Sequence, residues 1–185
     1  MRPVLDKKRR DWGPHPWRAK TGLSGLEDLY DRHGEALYRY LVFKLGSTED
    51  AQDVLQEAFC RFARYDLRWR LVRDPRAFVF RVARNEANRF LRRKLGRREG
   101  EKMIASGRAG HLAAVFAAPE DPALASLLRL AGELPAEQRE ALFLKVFDGL
   151  TFKEIGAVCG VSVNTAASRY RYGIGKLRQT MGGKP

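Results

Sequence analysis

The sequence predicts an all-α protein of two small helical domains joined by a flexible linker, the C-terminal one a four-helix helix-turn-helix domain. Three observations lead there. Apolar residues recur three and four apart through most of the chain, with no alternating strand pattern and no internal repeat. Capping residues precede these stretches and glycines follow them. Between Leu95 and Pro122 the periodicity gives way to glycine, alanine and a closing Pro119-Glu-Asp-Pro122, the composition of a connector. The division that results is a basic extension over 1–25, a helical domain over 26–98, a linker over 99–122, a second helical domain over 123–181 and a tail over 182–185.

The extension carries Trp12-Gly-Pro-His-Pro-Trp17 between charge clusters and reads as irregular and disordered. A first helix is expected from about Leu26 to Leu45, with Leu26, Leu29 and Tyr30, His33, Leu37, Tyr40 and Leu41, and Leu45 on its inner stripe; His33 reads as a packed residue rather than a ligand. Gly46 closes it and Ser47 caps the next helix. There Ala51, Val54, Leu55, Ala58, Phe59 and Phe62 face inward, and Asp50, Asp53, Gln56 and Glu57 make an acidic outer face. Beyond an Arg/Trp-rich loop from Tyr65 to Arg73, Asp74-Pro75 supplies an N-cap and a proline at the first helical position. In the helix that follows, to about Lys94, Val79, Ala83, Ala87, Phe90 and Leu91 share one side. A second stripe of Arg81, Arg84, Asn85, Asn88 and Arg92 contains no acid. A solvated face ordinarily mixes signs, so this one points to a nucleic acid. Trp69, Phe78 and Phe80 stand nearby and suit either the stacking of unpaired bases or the core.

The second domain opens with a helix bearing Leu124, Leu127, Leu128 and Ala131. Leu134-Pro135 starts another, through Leu142 and Phe147, which Asp148-Gly149 ends. Thr151 then caps a short helix while Glu154 caps back, and Ile155 and Val158 give its apolar face. Gly160 supplies the positive φ that ends it, and Ser162 caps the last helix. Along that helix Val163, Ala166 or Ala167, Tyr170, Ile174 and Leu177 form the buried stripe. The opposite face holds Asn164, Thr165, Ser168, Arg169, Arg171 and Tyr172, the kind of face a helix-turn-helix sets against base edges in the major groove.

Charge agrees with a polyanionic partner. Lys and Arg number 35 against 22 Asp and Glu, a formal net charge of +13, which favours neutralising phosphates and releasing their counterions. Three basic blocks, Met1–Lys20, Arg76–Arg98 and Thr151–Pro185, alternate with two mildly acidic ones, a pattern that solubility alone does not call for. Cys60 and Cys159 each fall on the apolar side of an expected helix and neither sits in a CxxC pair, so both read as small buried hydrophobes. With three histidines and no His-x-x-x-His spacing, no metal and no cofactor are expected. No apolar run reaches the ~20 residues that span a bilayer, and the basic N-terminus lacks the apolar core of a secretory signal. A cytoplasmic protein without membrane insertion is expected.

Four segments share a further likeness: Ala51-Gln-Asp-Val-Leu-Gln-Glu-Ala-Phe59, Asp74-Pro-Arg-Ala-Phe-Val-Phe-Arg-Val-Ala-Arg-Asn85, Leu134-Pro-Ala-Glu-Gln-Arg-Glu-Ala-Leu142 and the helix-turn-helix from Leu150 to Arg178. In their order and spacing they resemble bacterial RNA polymerase sigma factors of the extracytoplasmic-function (ECF) type within the sigma-70 family, over Leu26 to about Arg98 and Leu124 to Leu177. The resemblance implies a non-enzymatic subunit that binds core RNA polymerase, recognises the minus-35 and minus-10 promoter elements and promotes DNA melting. It implies core polymerase contact through Asp50, Asp53, Gln56 and Glu57. It implies minus-10 contact, largely with the displaced single strand, through Arg81, Arg84, Asn85, Asn88, Arg89, Arg92 and Arg93, with Asn85 near a flipped base. Duplex at minus-35 would be read by Ser162, Asn164, Thr165, Ser168, Arg169, Arg171 and Tyr172. A dedicated anti-sigma partner is also implied.

The chain departs from the family pattern in three places. Glu86-Ala-Asn88-Arg89-Phe stands where many relatives carry Leu-Ala-Leu-Asp-Tyr, and Asn164-Thr-Ala-Ala-Ser-Arg169 replaces the frequent Gly-Thr-Val-Lys-Ser-Arg, losing a lysine at Ala167. Gly173 and Gly175 are expected to weaken the last helix by ~1 kcal/mol each relative to alanine. Two rivals stand beside the sigma reading. A stand-alone helix-turn-helix regulator binding an operator as a dimer explains the second domain but not the first. An enzyme acting on DNA needs a carboxylate cluster for metal or an activated nucleophile, and the sequence arranges neither; no catalytic residue is assigned.

Overall fold

A computed structural model describes residues 23–65, 72–94, 96, 99 and 122–181. The expectations for residues 1–22, for Trp69, for nearly all of the 99–122 linker and for the 182–185 tail lie outside the described residues, as does the side chain of Leu124. Among the described residues the secondary structure is helical throughout: α1 (Leu23–Leu45), α2 (Thr48–Tyr65), α3 (Pro75–Lys94), α4 (Pro122–Gly132), α5 (Ala136–Val146), α6 (Phe152–Cys159) and α7 (Val163–Met181). Helix α1 begins three residues earlier than expected.

The helix ends follow the local chemistry. Gly46 adopts a φ of 72° and donates to the Val42 carbonyl at 2.8 Å, while the Ser47 hydroxyl accepts from the Asp50 amide at 3.2 Å. Asp74 accepts from the Ala77 amide at 3.0 Å, directly ahead of Pro75. Each such cap satisfies an amide that the first turn leaves without a partner.

Helices α1, α2 and α3 form one bundle around Leu37, Leu41, Val54, Phe62, Val79 and Phe80, all fully buried. Burial of side chains this size contributes about 1.5–3 kcal/mol each. Helices α5, α6 and α7 form a second bundle that α4 joins through α7. The two bundles are not separate. Helix α6 packs directly on α3, and the Phe43 ring of α1 stacks on Phe143 of α5 with centroids 4.2 Å apart and planes 13° from parallel. Six consecutive residues of α5, Arg139 to Leu144, are buried, because this helix has its own bundle on one side and the first bundle on the other.

Several expectations change. Cys60 is exposed: the inward line of α2 runs through Ala51, Val54, Ala58 and Phe62, and position 60 points away from it. Val163 is 48% exposed, since the inward line of α7 passes through Ala166, Gly173 and Leu177 and Val163 lies beyond its end. Phe78 and Phe80 are core residues rather than stacking platforms. Helix α7 runs unbroken through both glycines. Gly173 is buried, and a Cβ there would stand 3.5 Å from the Gln138 carbonyl and 3.6 Å from the Leu134 side chain, ordinary contact distances at which alanine also fits.

Candidate nucleic-acid interface

The helix-turn-helix is built by its turn. Thr151 accepts from the Glu154 amide at 3.2 Å and Glu154 accepts from the Thr151 amide at 2.6 Å, a complete capping box. Gly160 ends α6 in the left-handed region at φ 72°. At Gly156 a Cβ would come within 2.8 Å of the Val161 carbonyl, so the turn folds back closely enough to require glycine. Ser162 accepts from the Thr165 amide at 3.1 Å and starts α7. Ser162, Asn164, Thr165, Arg171 and Tyr172 are exposed, the last by 67%. Ser168 and Arg169 are half-buried; Arg171 donates to Ser168 at 3.3 Å, and Arg169 pairs with Glu137 at 2.9 Å. All seven sequence-predicted residues of this group thus share one helix and its cap.

Helix α3 is less uniform. Arg81, Asn85, Arg89 and Arg92 are exposed along one line. Arg93 instead borders a groove of about 810 Å³ between α3 and α2, with Phe90 and Lys94 on its own side and the acidic residues of α2 on the other. Arg89 pairs with Glu86 at 3.1 Å; Glu86, itself buried, also takes Arg61. Asn88 is buried, and its Oδ1 has no hydrogen-bond partner. Of the expected polymerase-facing residues on α2, Asp53, Gln56 and Glu57 are exposed, while Asp50 is drawn to Lys94 at 2.7 Å.

Arg84 turns to the second bundle. Its Nε donates to Glu140 Oε1 at 3.1 Å and its Nη2 to Oε2 at 3.2 Å, a two-point grip on a fully buried carboxylate of α5. Lys44 reaches the same Oε1 at 3.0 Å and the Tyr40 hydroxyl donates to it at 2.6 Å. Burial is the largest influence on the Glu140 carboxyl and raises its pKa, but Lys44, Arg84 and the hydrogen bonds from Arg84 and Tyr40 together hold it well below the usual carboxylate range. The Cys159 thiol, 4.0 Å from Glu140, is pushed up to about 12 by burial and then by that carboxylate, so it is an inert thiol.

A second carboxylate at the seam is served less well. Asp148 accepts from Arg39 at 3.3 Å through Oδ1, its backbone carbonyl accepts from Arg76, and its Oδ2 is buried without a partner. Burial raises its pKa to about 7 against the pull of Arg39. Arg76 also bears on His33, which burial first and then Arg76 and Arg32 lower to about 4. Beside this seam a cleft of about 400 Å³ is lined by Tyr65, Phe78, Arg73 and Arg81 from the first bundle and Ala157 from the second.

Sequence reasoning placed Tyr40 on the inner stripe of α1 and Asp148 at a helix end, and gave neither Lys44 nor Glu140 a place between the bundles. The signal for them was α5 itself, where a charged Arg139-Glu140 pair leads directly into Ala141-Leu-Phe-Leu144, an apolar run wider than one helix face. Arg139 ties α5 back to the end of α4, its guanidinium donating to the Gly132 and Leu134 carbonyls.

Residues 29–97 match the family described as Sigma-70 region 2, and residues 124–177 match Sigma-70, region 4. The ferric citrate uptake sigma factor FecI of Escherichia coli strain K12 is 31% identical over 154 residues, covering 80% of this chain and 86% of that protein. The RNA polymerase sigma factor CarQ of Myxococcus xanthus is 30% identical over 165 residues, covering 85% and 89%. In fold the chain is similar to CnrH, solved in complex with the cytosolic domain of CnrY, with a TM-score of 0.59 at 22% identity over 92% of this chain and 95% of that one. Among the described residues no helix is long and apolar enough to cross a membrane.

Proposed function

This chain belongs to the sigma-70 family, in its extracytoplasmic-function group, and from that premise we propose that it docks on core RNA polymerase, reads a two-part promoter and opens it. The exposed acidic face of α2, with Asp53, Gln56 and Glu57, is the docking surface. The face of α7 from Asn164 to Tyr172 enters the major groove at minus-35, where asparagine and arginine forks pair with base edges. Helix α3 holds the non-template strand at minus-10: Arg81, Arg89 and Arg92 bind its backbone, and Asn85 faces an unstacked base. Melting is driven by capture of the displaced bases, and the chain makes and breaks no covalent bond. An anti-sigma protein that covers both bundles completes the expected set of partners.

The observation that supports this reading most is the pairing, in one chain, of a capped helix-turn-helix whose polar face is open to solvent at Asn164, Thr165, Arg171 and Tyr172 with an acidic helix next to a basic one. A dimeric repressor has no use for the second pair. Footprinting of promoter DNA by the purified chain, with and without core polymerase, tests the proposal. Protection of both promoter elements only when polymerase is present is expected; tight protection of a duplex operator by the chain alone would overturn it. Asp53→Arg with Glu57→Arg should abolish co-purification with core polymerase and leave the helical content unchanged, because both changes fall on an exposed face.

A further inference from the structure

The two DNA-reading helices occupy incompatible places. Elements centred at minus-35 and minus-10 lie about 25 base pairs apart, roughly 85 Å of duplex at 3.4 Å per pair. Yet α6 of the helix-turn-helix rests directly on α3, and elsewhere between the two bundles Phe43 of α1 stacks on Phe143 of α5. A chain folded in this way cannot engage both elements of one promoter. The covalent connection does not forbid separation: residues 95–121, about 27 residues between α3 and α4, reach ~90 Å when extended.

Resting on the function proposed above, we propose that Glu140 is an internal surrogate for nucleic-acid phosphate, which holds Arg84 and closes the chain on itself until promoter and polymerase draw the two bundles apart. The grip is the two-point fork by which a guanidinium holds a phosphate or a carboxylate, and here it uses both Nε and Nη2 of Arg84. Lys44 and Tyr40 complete the cradle from α1, so the first bundle supplies three donors and the second bundle supplies the one acceptor group. Removing that acceptor leaves two partly buried cations set against each other with no counter-charge, which opening to water relieves. The latch is also built to release. Its neighbour Asp148 has one buried oxygen without a hydrogen bond, a cost that the closed form carries and the open form does not.

Small-angle scattering of the full chain in dilute solution, together with binding of a labelled single-stranded oligonucleotide, tests the latch. A compact chain of 185 residues has a radius of gyration near ~16 Å, and parted bundles raise it above ~20 Å. The parent chain is expected near the compact value. Glu140→Ala is expected to move it above the larger one and to tighten oligonucleotide binding at least fivefold, with helical content retained. Lys44→Glu, which sets a like charge against Glu140 from α1 and lies outside the proposed DNA contacts, is expected to produce the same expansion. If Glu140→Ala loses its helices, the Lys44→Glu result decides. An extended parent chain, or a radius that neither variant changes, overturns the latch. Promoter-directed transcription with core polymerase is a separate readout: its absence from parent and variants alike would overturn the proposed function, and the scattering result would still stand for or against closure.

Discussion

Helices α3 and α7 carry the two sets of residues expected at DNA, and what stands against each differs. On α7 most of the polar face looks into solvent, with a short-range bond such as Arg171 to Ser168 and one ion pair outward from the half-buried Arg169 to Glu137 of α5. On α3 the central arginine is committed to a carboxylate 56 positions away, an arginine next to it is paired with the buried Glu86, and an asparagine between them is buried. Similar chemistry is displayed along most of α7, and on α3 it is divided between an exposed line through Arg81, Asn85, Arg89 and Arg92 and the inward Arg84 and Asn88. The cause is which neighbours each helix has: α3 packs against α6 of the other bundle as well as against α1 and α2, whereas α7 packs against α4, α5 and α6 of its own.

The contrast can be broken most forcefully at the seam. Phe143→Ala deletes a fully buried ring stacked on Phe43 and should cost about 3–5 kcal/mol in chemical denaturation, with α3 becoming as accessible as α7 to hydrogen exchange. A loss below ~1 kcal/mol would mean that the bundles scarcely depend on each other.

The next effect turns on pH. Burial raises Asp148 from 3.8 to about 7, so the folded chain holds that proton more tightly than the unfolded one. The stability tied to it is fully present below pH 3.8 and is lost as pH rises through about 7. Asp148→Asn cannot ionise, and its stability relative to the parent should rise by up to ~4 kcal/mol between pH 4 and pH 8. His33, lowered to about 4, acts oppositely, its contribution being lost as pH falls from 6.5, but it is common to both proteins and drops out of the difference. The same difference at both pH values would show that Arg39 and Arg76 fully stabilise the Asp148 carboxylate.

On the displayed side, Arg171→Ala should weaken minus-35 duplex binding by about 1–3 kcal/mol if its guanidinium takes a guanine edge. Arg84→Ala should leave that binding unchanged, and equal losses from both would erase the distinction between the helices. Smallest of all, Thr151→Ala removes the capping box and should cost ~1 kcal/mol in thermal unfolding, confined to the second bundle.

Much of this was legible because it is local. Ser47, Asp74, Thr151, Gly160 and Ser162 announce helix ends through bonds to residues three or four away, and the structure places each as expected. The inward stripes of α1 and α2 were equally plain, apart from Tyr30, expected inward beside Leu29 and 56% exposed, and Cys60, which sits between two inward positions. What could not be read was the seam. Glu140 and Arg84 belong to stretches that a single-helix pattern assigns to a motif and to a solvent face, and only the packing of two bundles turns both inward. Asn88 is the same failure in small: spacing put it on the basic stripe, and burial removed it.

The turn at Gly156 bears on how such a protein changes over time. The turn between α6 and α7 is set by Gly156 and Gly160, through a close backbone approach and a left-handed C-cap, on a helix that Thr151 and Glu154 cap at its far end. None of these belongs to the group expected to meet duplex DNA, which is Ser162, Asn164, Thr165, Ser168, Arg169, Arg171 and Tyr172. Mounting and lettering are therefore independent. The lettering can be rewritten one position at a time, by mutation or by grafting, while the mounting angle is inherited unchanged, so new promoter preferences are reachable without passing through a misdocked intermediate.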